Sequence, residues 1–189
     1  MKKVVLDACV LYPATLRDVL LSIGSDDIYK PYWSPLIHDE WQRNLLKNKS
    51  DLTQADLKRT AEIMDRVFIG SNINVNEFHH FIDQVNLPDA NDRHILALAI
   101  HVKADLIITT NLKDFPEAQL GVHKVSAICP DEFLSNLFNE FDILVVDALR
   151  RQRARLKSPP ITQEQFLEAF ANCGLKKFSE LLLPYVSEL

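Results

Sequence analysis

Apolar residues in this chain follow two rhythms. Val4-Val5-Leu6, near the start, and Leu106-Ile107-Ile108, within 105–110, are short unbroken runs without polar alternation. Such runs suit strands of a parallel sheet that is covered on both faces. Tyr29 to Trp33 and Val122 to Ile128 read as further strands, and Asn74-Val75-Asn76 as a short strand or connector. The second rhythm repeats every three to four residues, the period of an amphipathic helix. It runs through Leu16, Val19, Leu20 and Ile23 within 13–25, and through Leu57, Ala61, Met64 and Val67 or Phe68 within 53–68. Ser34-Pro35 is an N-cap followed by proline at the first helical position, and Leu36, Ile37, Glu40, Trp41 and Leu45 follow on the expected helix. Arg93 to Lys103 is apolar almost all round, the signature of a helix buried on most sides.

Strands therefore alternate with helices up to about residue 138, where Pro130-Asp131-Glu132 has opened a further helix. That alternation predicts an α/β fold with a mostly parallel central sheet. From Asn139 onward the pattern is helical only. It predicts a helix over 141–156, a break at Ser158-Pro159-Pro160, a helix over 162–171 capped by Thr162 and ended near Gly174, and a last helix to about Ser187. This tail is short for a core of its own. The expected organisation is a body over 1–138 and a C-terminal helical extension, 139–189, packed on it.

Composition narrows the class. The 189 residues are 47% hydrophobic and 25% charged, ordinary for a globular chain, with a formal net charge of -5. A generally basic surface for coating nucleic acid is thus excluded, although a local basic patch or a bound metal can still attract phosphate. Cys9, Cys129 and Cys173 are odd in number and far apart, without zinc-ligand spacing, and read as buried reduced thiols. The opening MKKVVLDACVLYP lacks the long apolar run of a signal peptide, and Asp7 interrupts it. No stretch approaches the roughly 20 apolar residues of a membrane span. The expectation is a cytoplasmic protein without a membrane partner.

Candidate chemistry gathers where open α/β sheets bind ligands, outside the carboxyl ends of the strands. Asp7 ends the first strand. Glu40 lies on the helix opened by Ser34-Pro35. Asp89, Asn91 and Asp92 precede the buried helix, and Thr109-Thr110-Asn111-Leu112-Lys113-Asp114 follows the 105–110 strand. Carboxylates gathered in one place repel each other unless a cation neutralises them. A hard divalent ion with oxygen ligands does this best, which points to magnesium or manganese. Such an ion polarises phosphate oxygens and acidifies an attacking water.

Each residue also has an ordinary reading. Asp92 is well placed to cap its helix, Glu40 to be a solvated helix residue, Asp89 to shape the turn after Pro88, and Asn111 and Asp114 to serve their loop. Asp7 fits an ordinary role poorly, because it directly follows an apolar run against the core. His38 reads as a surface residue and His79-His80 as a solvated pair. Arg150, Arg151, Arg153, Arg155 and Lys157 form a basic run that is either a solvated helix face or a contact for RNA phosphates or an acidic partner. A Gly-rich phosphate loop and a Gly-x-Ser-x-Gly elbow are both missing. A phosphatase or aspartyl-phosphate receiver is disfavoured, since Cys9 stands two residues after Asp7 and no acidic pair precedes a strand-end aspartate.

Four segments together resemble the PIN-domain family, and within it the VapC-type toxins of toxin–antitoxin pairs. They are Val-Val-Leu-Asp-Ala-Cys-Val-Leu, Glu40, Leu-Pro-Asp-Ala-Asn-Asp-Arg-His-Ile-Leu-Ala-Leu-Ala, and Ala-Asp-Leu-Ile-Ile-Thr-Thr-Asn-Leu-Lys-Asp-Phe-Pro, all within roughly residues 1 to 135. The resemblance implies a PIN-like α/β/α sandwich and a magnesium- or manganese-dependent endoribonuclease acting on RNA, commonly as a homodimer and with an antitoxin protein as partner. It carries over Asp7, Glu40 and Asp92 as catalytic, metal-holding acids, with Asp89 as accessory acid. The fourth position falls at Asn111 or Asp114, and Thr110 resembles the hydroxyl residue found beside it. A PIN nuclease of RNA processing without an antitoxin, or a non-catalytic PIN-like module that binds RNA or a partner, would share these residues. Nothing carries over to the tail.

Overall fold

The computed structural model describes residues 1–157 and 159–189, so Ser158 of the expected break lies outside the described residues. The strands are β1 (Lys2–Leu6), β2 (Tyr29–Tyr32), β3 (Leu106–Ile108) and β4 (Ser126–Ile128). They form one sheet in the order β2-β1-β3-β4, and every pairing is parallel. Val4, Val5 and Leu6 are each fully buried. Successive strand residues point to opposite faces, so helices cover β1 on both sides.

The helices are α1 (Ala8–Leu11), α2 (Ala14–Gly24), α3 (Pro35–Asn48), α4 (Gln54–Val67), α5 (Val75–Ile82), α6 (Arg93–Val102), α7 (Glu117–Leu120), α8 (Pro130–Arg155), α9 (Gln163–Asn172) and α10 (Lys176–Leu182). Their ends follow from local chemistry. The Ser34 hydroxyl accepts from the Ile37 N–H ahead of Pro35, and Thr53 with Asp56 forms a reciprocal capping box at the start of α4. α6, carrying buried Ile95 to Ala99, packs on β1, β3 and α5 and stops where Lys103 turns left-handed at φ 53°. Lys3 ties this region to β1: its Nζ donates to the Val102 carbonyl at 3.0 Å and its N–H to Asp105 Oδ2 at 2.8 Å.

Four expectations about elements change. Asn74-Val75-Asn76 is no strand. Asn74 accepts from the Asn76 N–H and, with Glu77, caps α5, so its side chain outweighs the β-branched Val75. The strand-like pairing lies just before it, where Trp33 exchanges backbone hydrogen bonds with Ser71 and Ile73, both at 3.0 Å. The strand expected over 122–128 keeps only Ser126–Ile128. Val122 is exposed in a 3-10 turn, and Lys124 at φ 59° breaks the extension. The helix expected from 141 is instead the second half of α8, which runs unbroken from Pro130 through a kink at Phe141 (φ -139°, ψ 41°). One helix thus crosses the expected 138/139 boundary. The last helix ends at Leu182 and a 3-10 turn carries on over Leu183–Glu188.

The tail packs on the body through α8 and α2. Phe138, Phe166, Phe170 and Phe178 are buried there, and Phe138 meets the Tyr185 ring edge-on, 5.4 Å between centroids. Asp131, in the first turn of α8, accepts from the N–H groups of Phe178 (2.8 Å) and Lys177 (3.1 Å) and so caps α10 from another helix. No helix among the described residues is long and apolar enough to cross a membrane.

Candidate active site

The sheet order creates the site. β1 lies between β2 and β3, so the chain leaves its carboxyl end in one direction and returns on the other side, which opens a crevice there. The register pairs Leu6 with Ile108, so Asp7 and Thr109 emerge side by side. The ladder holds them: the Asp7 N–H donates to the Ile108 carbonyl and the Thr109 N–H to the Ile128 carbonyl, both at 3.1 Å.

Asp7 is buried, and donors surround its carboxylate. The Thr109 hydroxyl donates to Oδ2 at 2.6 Å, the Cys9 thiol donates to Oδ2 at 3.1 Å, and the Cys9 N–H reaches Oδ1 at 3.4 Å. Burial and then the Asp7 charge push the Cys9 thiol up to about 12, so it stays a neutral donor. All three cysteines are free and half-buried. The hydroxyl beside Asp7 is therefore Thr109, a residue the sequence reading did not single out. Thr110 is exposed, and its N–H donates to Cys9 Sγ at 3.3 Å.

Asp92 occupies the N-cap position of α6, yet its side chain makes no capping hydrogen bond. Its carboxyl is pushed up to about 7, first by burial, then by the charges of Asp7, Asp89, Glu40 and Asp114. Each of those acids comes from a different part of the chain, so their fields meet at Asp92. Asp89 also serves its turn, accepting from the Asn91 N–H at 2.9 Å and side-chain amide at 3.0 Å. The two residues left open for the fourth position are one unit: the Asn111 amide donates to the Asp114 carboxylate, and the Asn111 N–H donates to Thr109 Oγ1 at 3.0 Å. Glu40 Oε2 faces His94 Nε2 at 3.7 Å, a neighbour that sequence reasoning missed although His94 stands two residues after Asp92. A cavity of about 420 Å³, lined in part by Glu40, Arg43, Asn44, Asp89 and Asp92, opens beside these acids.

The donor set fits a hard divalent cation, since it offers carboxylate oxygens, and burial followed by the charges of the neighbouring acids raises the Asp92 carboxyl. As the side chains stand, no three His, Cys, Asp or Glu groups among the described residues close on one ion position. The acids feel one another's charge without sharing a point.

Profiles of known families match the chain in two places: the PIN domain over residues 3–113 and the VapC50 C-terminal domain over residues 130–184. The chain belongs to the PIN-domain family. Its PIN match takes in Asp7, Glu40, Asp89, Asp92 and Asn111, and the second match begins at the first residue of α8. The chain is also 33% identical over 78 residues to "Putative ribonuclease VapC50" of Mycobacterium tuberculosis, a stretch covering 41% of this chain and 46% of that protein. The matched stretch thus spans a little under half of the relative's length. No solved structure matches the chain.

Other residues singled out by sequence lie elsewhere in this PIN-domain chain. His38 is not a surface residue but buried, with Nδ1 accepting from Trp41 Nε1 at 3.0 Å and Nε2 facing Asp65 Oδ1 at 3.1 Å. Asp65 also accepts from Trp33 Nε1 and Asn72 Nδ2, both at 2.8 Å, so this network joins α3 to α4. His79 and His80 are exposed. The basic run is largely engaged within the protein. Arg150 pairs with Asp147 and Arg151 with Asp26. Arg153 donates to the carbonyls of Leu189 (2.7 Å) and Ile161 (3.0 Å), and Arg155 to the Ser22 hydroxyl at 3.1 Å.

Proposed function

We propose that this chain is a magnesium- or manganese-dependent endoribonuclease that hydrolyses RNA phosphodiester bonds as the toxin of a toxin–antitoxin pair. One observation carries the reading: Glu40, Asp89 and Asp92, from separate segments, line one cavity, and Asp7 and Asp114 lie near enough for their charges to raise the half-buried Asp92 carboxyl. The PIN-domain membership and the ribonuclease name of the mycobacterial relative support it. In this reading residues 1–138 are the catalytic unit, 139–189 the extension packed on it, and the protein works in the cytoplasm as a homodimer until an antitoxin blocks it.

Asp7, Glu40 and Asp92 would hold the principal ion, with Asp89, Asn111 and Asp114 supporting it or a second one. When bound, the ion supplies positive charge that polarises a phosphate oxygen and acidifies an attacking water. The chain's own residues do the rest. Thr109 and the neutral Cys9 thiol fix the Asp7 carboxylate, the Asn111 amide orients Asp114, and Asp92 gives up its proton as positive charge arrives.

The test is cleavage of total RNA by the purified full-length chain in manganese, with sequencing of the ends produced. Asp7→Asn and chelation should each abolish cleavage, while circular dichroism of the variant stays unchanged. Undiminished cleavage under either condition overturns the mechanism. Co-purification with the product of an adjacent small DNA-binding gene, and loss of cleavage in that complex, tests the toxin role.

A further inference from the structure

Glu40 has a longer side chain than the aspartates it works with, and so more rotamers to fix. Three of those aspartates are held by close donors: Asp7 by Thr109 and Cys9, Asp89 by Asn91, and Asp114 by Asn111. The Glu40 carboxylate instead faces one ring, His94, with Oε2 and Nε2 3.7 Å apart. Carboxylates that hold metal ions are themselves usually hydrogen-bonded, and loss of such a partner costs about 10–100-fold in metal affinity.

The two residues belong to elements with different supports. α3 packs on α1 and α4, whereas α6 packs on β1, β3 and α5. The cavity of about 420 Å³ lies between them, with Leu36, Glu40 and Asn44 on one face of α3 and Asp92 and His94 at the start of α6. Among the described residues, Glu40–His94 is the one ion pair or side-chain hydrogen bond that joins these two helices. The His94 side chain is only 12% exposed, so packing fixes its ring. Its Nδ1 is sealed from solvent without a partner. With no acceptor at Nδ1, the partners assign the ring proton to Nε2, the nitrogen that faces a carboxylate. The 3.7 Å separation is longer than a formed hydrogen bond, and contacts of this kind tighten when the ligand arrives.

We propose that His94 is a positioning residue: its Nε2–H takes one oxygen of Glu40 and leaves the other free for the ion. Because His94 stands two residues after Asp92, it ties Glu40 to the element that carries Asp92. Two acids from helices that do not otherwise constrain each other are thereby brought to one place. This role rests on the metal-dependent reading of the site.

Calorimetric titration of the full chain with manganese chloride tests it without any need for cleavage. His94→Ala should weaken manganese binding by about 10–100-fold. His94→Gln, whose amide nitrogen comes close to the Nε2 position, should recover most of that affinity. His94→Asn, whose amide reaches only the Nδ1 position, should stay as weak as the alanine variant. If the alanine variant does not fold, the glutamine and asparagine variants decide the matter between them. Wild-type affinity in His94→Ala, or recovery by asparagine equal to that by glutamine, would overturn the proposal. Asp7→Asn separates this role from the reading beneath it. Manganese affinity that falls in Asp7→Asn but in none of the His94 variants overturns the role of His94 alone, and a wild-type chain that takes up no manganese overturns both.

Discussion

Thr109 Oγ1 donates to Asp7 Oδ2 at 2.6 Å across the seam between β1 and β3. Neither residue could hold that geometry alone, because each is placed by the end of a different strand. Thr109→Val keeps the shape and removes the donor. It should cost about 1.5–3 kcal/mol in a thermal melt, the range for a hydrogen bond to a charged group. Because the Asp7 carboxylate is then free to rotate, RNA cleavage should fall by about tenfold or more. Thr109→Ser should restore most of both. Full cleavage by the valine variant would remove Thr109 from the site.

Asp92 makes stability depend on pH in the metal-free protein. Its folded pKa of about 7 lies above that of an aspartate in the unfolded chain. The folded state therefore keeps a proton that the unfolded state releases, and stability falls as pH rises through the window between ordinary aspartate values and about 7, then levels off. Melts in chelator across that window should show the decline, and Asp92→Asn should flatten it. Asp7→Asn should lower the Asp92 pKa in a carboxyl NMR titration, since one of the like charges is gone. An Asp92 that titrates unchanged in Asp7→Asn would mean that the two acids do not interact.

Asp131 caps α10 from α8 through two backbone N–H groups. Asp131→Ala should cost about 0.5–2 kcal/mol, as cap removals do. Amide exchange should quicken over residues 176–188 and stay slow in β1 and β3. Uniform quickening through the whole chain would show that the tail and the body do not open separately.

Arg153 and Arg150 should part company. Arg153 bridges the carbonyls of Ile161 and Leu189, so Arg153→Ala should destabilise by about 1–3 kcal/mol in a denaturant melt. Arg150, half-exposed and paired with Asp147 three residues earlier, should tolerate Gln within about 0.5 kcal/mol. Weaker RNA binding in Arg153→Ala at a temperature where it remains folded would return the basic run to a substrate role.

Much of the scaffold was readable in the chain itself. Val4-Val5-Leu6 and Leu106-Ile107-Ile108 announced buried strands because a strand covered on both faces cannot alternate. The all-apolar face of 93–103 announced α6, and Ser34-Pro35 the start of α3. The acids were readable as a set, because a carboxylate such as Asp7 directly after an apolar run has few ordinary uses. What misled was local: Val122 looked like strand material until Lys124 turned left-handed, and Asn74 looked like part of a strand until its side chain capped α5.

By itself, then, the sequence determined most of the element order and the mostly parallel sheet, and it named the candidate acids, since period, caps and residue type are local properties. The tertiary structure alone decided who touches whom. Pleat and register brought Thr109 to Asp7 as its donor. Packing of α3 on α4 buried His38 against Asp65, and folding of the tail turned part of an arginine run into clamps. It also joined Asn111 and Asp114, which the chain had presented as alternatives, into one hydrogen-bonded pair. The physical reason is the same each time: the charge and hydrogen-bond partners of a side chain are set by neighbours distant in sequence, and only the folded register brings those neighbours within reach.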